Sequence, residues 1–217
     1  MHKPAFLITI DTEGDNLWQK HDSITTENAR YLPRFQQLCE KYGFKPVWLT
    51  NYEMAIDPVY IEFAKDAIAR GTAEIGMHLH AWNSPPTDPL TDDDWRHKPY
   101  LIEYSDAAMR AKVDYMTRLL EDTFQTKMVS HRAGRWAFDE RYARLLVEYG
   151  YLVDCSVTPR VNWKTAKGAP QGDGGTDYRD FPQHAYFLDE NDIRREGQSS
   201  LLEVPMSIRS EERRVGK

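Results

Sequence analysis

The chain has little cysteine, no long apolar run and no excess of basic charge, and each shortage excludes a class of protein. Cys39 and Cys155 are the only cysteines among 217 residues, and neither belongs to a Cys-x-x-Cys pair. Two such thiols cannot build a disulfide framework, so a reducing compartment and a cytoplasmic location are expected. No apolar stretch approaches the ~20 residues of a membrane helix, so no membrane span is expected. The run Ala5–Ile10 stops at Asp11 and is too short for a secretory signal. Lys and Arg total 28 against 34 Asp and Glu, a formal charge of -6. That balance argues against a nucleic-acid partner, whose phosphates call for a basic face. The glycines of Gly168–Asp180 lack the Gly-Lys-Ser/Thr ending of a phosphate loop and read as surface loop.

What is present is an ordinary globular composition, with 41% hydrophobic and 29% charged residues. At this length folding buries roughly 70% of the unfolded surface, enough for a sizeable core. Residues 1–208 read as one domain, without internal repeat or linker, and 209–217 as a tail foreign to it.

Short apolar runs alternate with helical periodicity. Strands are expected at Ala5–Ile10, Lys45–Thr50, Ala73–His80, Lys127–Arg132, Tyr151–Val157 and Leu201–Ile208. Helices are expected over Leu32–Tyr42, after the cap Asp57-Pro58, after the cap Ser105, and over Asp139–Tyr149. The second of these should turn Val59, Phe63 and Ala67 inward, and the third Met109, Val113, Met116 and Leu120. Between Pro159 and Ser200 the rhythm lapses, leaving one short apolar piece at Ala185–Leu188. Strand-helix alternation implies parallel strands joined by crossovers, in a barrel or an open doubly wound sheet. In both, ligands gather at the carboxyl ends of the strands.

Successive side chains on a strand face opposite ways. Asp11 and Glu13 therefore share a face, away from Phe6, Ile8 and Ile10. His78 and His80 lie away from Ile75, Met77 and Leu79, Arg132 away from His131, and Asp154 with Ser156 away from Val153 and Cys155. Strands buried between helices are normally apolar on both faces, and buried carboxylates are costly unless paired or bound to metal. Polar sets at matching strand ends therefore read as one site. His-x-His with an acid from another strand supplies three metal ligands and leaves a position open for water. One of the two acids can bind the cation while the other accepts a proton, and Arg132 can orient that free carboxylate. His131, on the wrong parity, is expected to be structural.

Four segments carry a family likeness: Thr9-Ile10-Asp11-Thr12-Glu13-Gly14, Glu74-Ile75-Gly76-Met77-His78-Leu79-His80, His131-Arg132-Ala133-Gly134-Arg135 and Val153-Asp154-Cys155-Ser156. In kind and order they resemble the first four motifs of the polysaccharide deacetylases, the NodB-homology group of carbohydrate esterase family four, in an intracellular branch of the lipopolysaccharide-biosynthesis type. The resemblance implies an α/β fold, a distorted (β/α) barrel of about seven parallel strands. It also implies a divalent metal (zinc first, cobalt or nickel as alternatives) and removal of acetyl from an N-acetylated carbohydrate. By that match Asp11 is the base, Arg132 its tether, His78 an imidazole ligand and Glu13 the acidic ligand, with Asp15 as the alternative. The family's second histidine falls at Trp82 here, so His80 stands in for it. Trp82 and Trp136 are assigned to an acetyl or sugar pocket, and Asp154 to substrate binding. The family's late histidine, the general acid, has no counterpart after His184. The domain is accordingly expected to be truncated at its C-terminus. Two rivals remain, a cyclic-amide hydrolase of the allantoinase type on the same barrel and a catalytically dead sugar-binding barrel.

Overall fold

A computed structural model describes residues 5–19 and 23–208. His2, His21 and the tail 209–217 lie outside the described residues, and so does the expectation of truncation.

The strands are β1 (Thr9–Thr12), β2 (Val47–Thr50), β3 (Glu74–Leu79), β4 (Ser130–Ala133), β5 (Val153–Asp154), β6 (Tyr186–Asp189), β7 (Asp192–Glu196) and β8 (Leu202–Glu203). The helices are α1 (Leu32–Lys41), α2 (Tyr52–Ala55), α3 (Pro58–Ala69), α4 (Asp94–His97), α5 (Asp106–Phe124) and α6 (Glu140–Glu148). All eight strands join one sheet in the order β1-β2-β3-β4-β5-β8-β6-β7. The α/β class and the mostly parallel sheet are as the alternation implied. The expected barrel-type sheet of about seven strands is present with eight, and it does not close among the described residues. Six strands run parallel, β6 and β7 form an antiparallel hairpin beside β8, and among the described residues the sheet is open. A link of two residues between β6 and β7 permits only antiparallel pairing.

Local chemistry sets most element ends. Asp57, Ser105 and Asp139 each accept a backbone N–H three residues on, closing the starts of α3, α5 and α6. Met109, Val113, Met116 and Leu120 are fully buried along α5. On α3 Phe63 and Ala67 are buried as expected and Tyr60 and Ala64 join them, while Val59 is exposed. The opening strand is later than its apolar run suggested. Pairing begins at Thr9 with Val47, and Phe6 is left 71% exposed. β5 is only two residues long, since Asp154 draws the Ser156 N–H into a local turn at 3.0 Å.

The core lies between the sheet and α3, α5 and α6, where Trp48, Ile75, Met77 and Leu79 meet Tyr60, Val113, Met116 and Tyr142. The other face carries the polar set. A Cβ on Gly76 would stand 2.6 Å from the Ser130 carbonyl and 2.8 Å from Leu49, so only glycine fits beneath them. Among the described residues no helix is long and apolar enough to cross a membrane.

Candidate metal centre

The register places the site. Asp11 pairs with Leu49, Leu49 with Gly76, and His78 with Arg132, so Asp11, His78 and Arg132 share one face. Glu13 and His80 follow the last residues of β1 and β3, where the chain is free to turn inward over the strand ends.

Glu13, His78 and His80 converge, with one ligand atom of each within 4.8 Å of the others. Glu13 Oε2 is 2.8 Å from His80 Nε2 and 3.6 Å from His78 Nε2, and the two Nε2 atoms are 3.1 Å apart. Tetrahedral zinc with bonds of ~2.0–2.1 Å sets its ligands about 3.3 Å apart. The triangle matches that spacing, so the donor set of two imidazoles and a carboxylate fits a divalent cation. His78 Nδ1 donates to the Arg132 carbonyl at 2.8 Å, which turns the Nε2 lone pair toward the cluster. Glu13 Oε1 accepts the Trp18 indole N–H at 2.6 Å. His80 differs, because its Nδ1 is buried without a hydrogen-bond partner among the described residues.

Electrostatics are consistent with lone pairs facing inward. Burial pushes His80 down to about 4, against the raising pull of Glu13, so this imidazole is neutral near pH 7. Burial also pushes His78 down, but Asp11 and Glu13 outweigh it and hold His78 above its ordinary value. Burial pushes Glu13 up, yet hydrogen bonds and charge from His78 and His80 hold it well below the usual carboxylate range. A cation at this point would take the place of the contacts that Glu13 makes with the two imidazoles.

Beside this triangle, Arg132 Nη1 donates to Asp11 Oδ1 at 2.5 Å. Its Nε donates to the Cys155 carbonyl at 3.0 Å and its Nη2 to Thr9 Oγ1. Arg132 is 1% exposed, and Trp136 covers its guanidinium at 4.9 Å. Asp11 Oδ2 has no hydrogen-bond partner among the described residues and faces the cleft. That cleft, of about 350 Å³, is lined by Asp11, Glu13, His78 and His80 on one side, with Trp18, Tyr100, Arg135, Trp136 and Trp163 around them.

Three expected site residues stand elsewhere. Asp154 pairs in register with His131, not Arg132, so it lies on the opposite face. It is fully buried there, 2.6 Å from His131 Nδ1, and does not reach the cleft, which corrects its assignment to substrate binding. Trp82 sits behind His80, its ring 4.4 Å away, and lines a separate pocket with Asp88 and Lys112. Asp15 turns to Thr25 Oγ1 at 2.9 Å, away from the triangle. His131 is structural as expected, held between Asp154 and the Tyr142 hydroxyl at 2.7 Å. Sequence reasoning missed Trp18, Tyr100 and Trp163, which come from irregular segments with no periodic signal. Arg135 was visible only as the last residue of a motif.

Fold and site together define an α/β protein with a Glu-His-His cluster at the carboxyl ends of a parallel sheet. No protein-family model matches the chain, and no curated protein matches it. Among solved structures it is similar to a protein of Mycobacterium smegmatis assigned as a polysaccharide deacetylase, with a TM-score of 0.58 and 17% identity over 93% of this chain. The chain spans 58% of the length of that structure, and at such identity the likeness establishes the fold alone. A pseudoenzyme of carbohydrate esterase family four from Bacillus anthracis matches 73% of this chain and 45% of its own, at 14% identity and a TM-score of 0.47. IcaB from Ammonifex degensii matches 73% of this chain and 63% of its own, at 13% identity and a TM-score of 0.46.

Proposed function

We propose that this chain is a metal-dependent hydrolase that removes acetyl from an N-acetylated sugar, in surface-polysaccharide or lipopolysaccharide assembly. The observation that carries the reading is the ligand triangle of Glu13, His78 and His80 beside the Asp11–Arg132 pair, all at one cleft. The pathway rests on the sequence resemblance. We take residues 1–208 as one domain and its location as cytoplasmic, in keeping with two buried, unpaired cysteines.

Glu13, His78 and His80 would hold the cation, zinc first with cobalt or nickel as alternatives. When bound, it supplies Lewis-acid polarisation of the amide carbonyl and a more acidic water. Asp11 acts as general base at Oδ2, the oxygen that Arg132 leaves free. Arg132 orients that carboxylate, and its own orientation is set by Thr9, the Cys155 carbonyl and the Trp136 ring. Trp136 also screens the ion pair from water. Trp18 and Trp163 offer apolar walls to a sugar ring.

Acetate release from chitooligosaccharides and nucleotide-linked N-acetyl sugars, measured with and without added zinc or cobalt, tests the reading. Cation-dependent release is expected. Metal binding without release from any of these sugars would favour the non-catalytic sugar-binding alternative.

A further inference from the structure

We propose that Arg135 recognises an anionic group, and that the sugar taken by this cleft carries a carboxylate or a phosphate. The inference rests on the hydrolase reading above and adds the charge of its substrate.

Arg135 lines the same cleft as Asp11, Glu13, His78 and His80. Several of the partly or fully buried arginines are neutralised, and Arg132 and Arg141 each hold a carboxylate at 2.8 Å or less, as the more exposed Arg110 and Arg179 also do. Arg135 has no such partner among the described residues. Its Nη2 donates to the Lys167 carbonyl at 2.9 Å and its Nη1 to the Lys98 carbonyl. A guanidinium has five N–H groups, so five less two leaves three without a protein acceptor among the described residues. One face of the group lies 3.9 Å from the centre of the Tyr100 ring. The plane is therefore fixed, and a fixed planar fork suits two oxygens of a carboxylate or phosphate.

The surroundings add positive charge. Lys98 precedes the Tyr100 wall, and its ammonium donates to the Trp95 carbonyl at 2.8 Å, again a neutral partner. Burial and the nearby Arg135 both push the Lys98 amine below its ordinary value. Neither cation has a carboxylate within ion-pair distance among the described residues; Glu103 acts on Arg135 and Asp93 on Lys98 only from further off, which leaves the fork free to take an anion from the cleft. The backbone is also held in an unfavourable form here. Lys98, Arg135 and Trp136 have φ of 50°, 55° and 59°, a left-handed conformation that side chains other than glycine rarely adopt. A tie between two loops would need only the two carbonyl contacts. It would not need an unneutralised fork opening on the cleft.

Titration calorimetry on the purified chain, with N-acetylglucosamine, its 1-phosphate and N-acetylgalactosaminuronic acid, tests the inference. The wild type is expected to bind one of the acidic sugars roughly 10- to 100-fold more tightly than the neutral one, the factor of a charge-assisted pair. Arg135→Gln should lose that preference and Arg135→Lys keep part of it. Preference for the phosphate or for the uronate identifies the anion. Equal binding of all three sugars by the wild type, or a preference that survives Arg135→Gln, overturns the inference. The wild-type comparison and Arg135→Lys decide the matter even if the glutamine variant does not fold. Heat is read without turnover, so absence of acetate release would sink the hydrolase reading and leave this test standing. Release with no acidic preference would do the reverse.

Discussion

Two clusters on opposite faces of the same sheet use the same kinds of side chain to different ends. On one face Glu13, His78 and His80 turn three ligand atoms toward a single point at the edge of a cleft. On the other, His131 lies fully buried with Nδ1 2.6 Å from Asp154 and Nε2 2.7 Å from Tyr142. There each imidazole nitrogen has its own partner. Glu203, fully buried beside them, is pushed well above its ordinary value by burial and by the Asp154 charge. The lesson is that histidines beside acids do not by themselves mark a centre. Separate hydrogen bonds for every nitrogen make a strut, whereas convergence on one shared point, open to a cleft, makes a candidate ligand set.

The sharpest way to break this contrast is Asp11→Asn. It should lower acetate release by roughly 10²- to 10⁴-fold, the usual contribution of a general base, and leave metal content intact. Full activity in that variant would remove Asp11 from the chemistry. Next comes the sealed face. Asp154→Ala leaves the His131 N–H unpaired and should cost roughly 1–3 kcal/mol in urea unfolding, with bound metal unchanged. Loss of metal there would show that the two faces are not separate. A smaller effect is expected from Trp18→Phe, which keeps the ring and removes the donor to Glu13. Metal affinity should fall about 10- to 100-fold, as for other groups that orient a ligand, and an unchanged dissociation constant would refute the tie.

The smallest effect is a pH dependence. Burial, partly offset by Asp154, holds His131 below its ordinary 6.5, so the unfolded chain binds this proton more readily than the folded one. Stability from His131 is therefore complete above about pH 6.5 and declines as pH falls toward its folded value. The difference in unfolding free energy between wild type and His131→Gln should shrink over that window. A difference that stays flat with pH would show that His131 is not held neutral.

Much of this was legible in the chain before folding. Alternating apolar runs and capped helices announced α/β architecture, since period and caps are local properties. Parity set Asp11, His78 and Arg132 each apart from the neighbouring residues of its own strand, Arg132 from His131 among them, because strand geometry alone dictates that alternation. Parity failed at Asp154. It shows which residues of one strand share a face, while pairing register decides which face that is, and Asp154 meets His131. Val59 on α3 and the expected early start of β1 failed for a related reason. Hydrophobicity marks what can be buried, and neighbours in space choose what is.

The succession of strands and helices along the chain and the kinds of side chain that could bind a cation followed from residue type and spacing, which the chain carries wherever it goes. Only the tertiary structure decided that His80 joins Glu13 and His78, that Trp82 stays behind them, and that Trp18, Tyr100, Arg135 and Trp163 close around the cleft. Those residues come from irregular segments without a repeating pattern. Their directions are set by hydrogen bonds and packing between parts of the chain far apart in sequence.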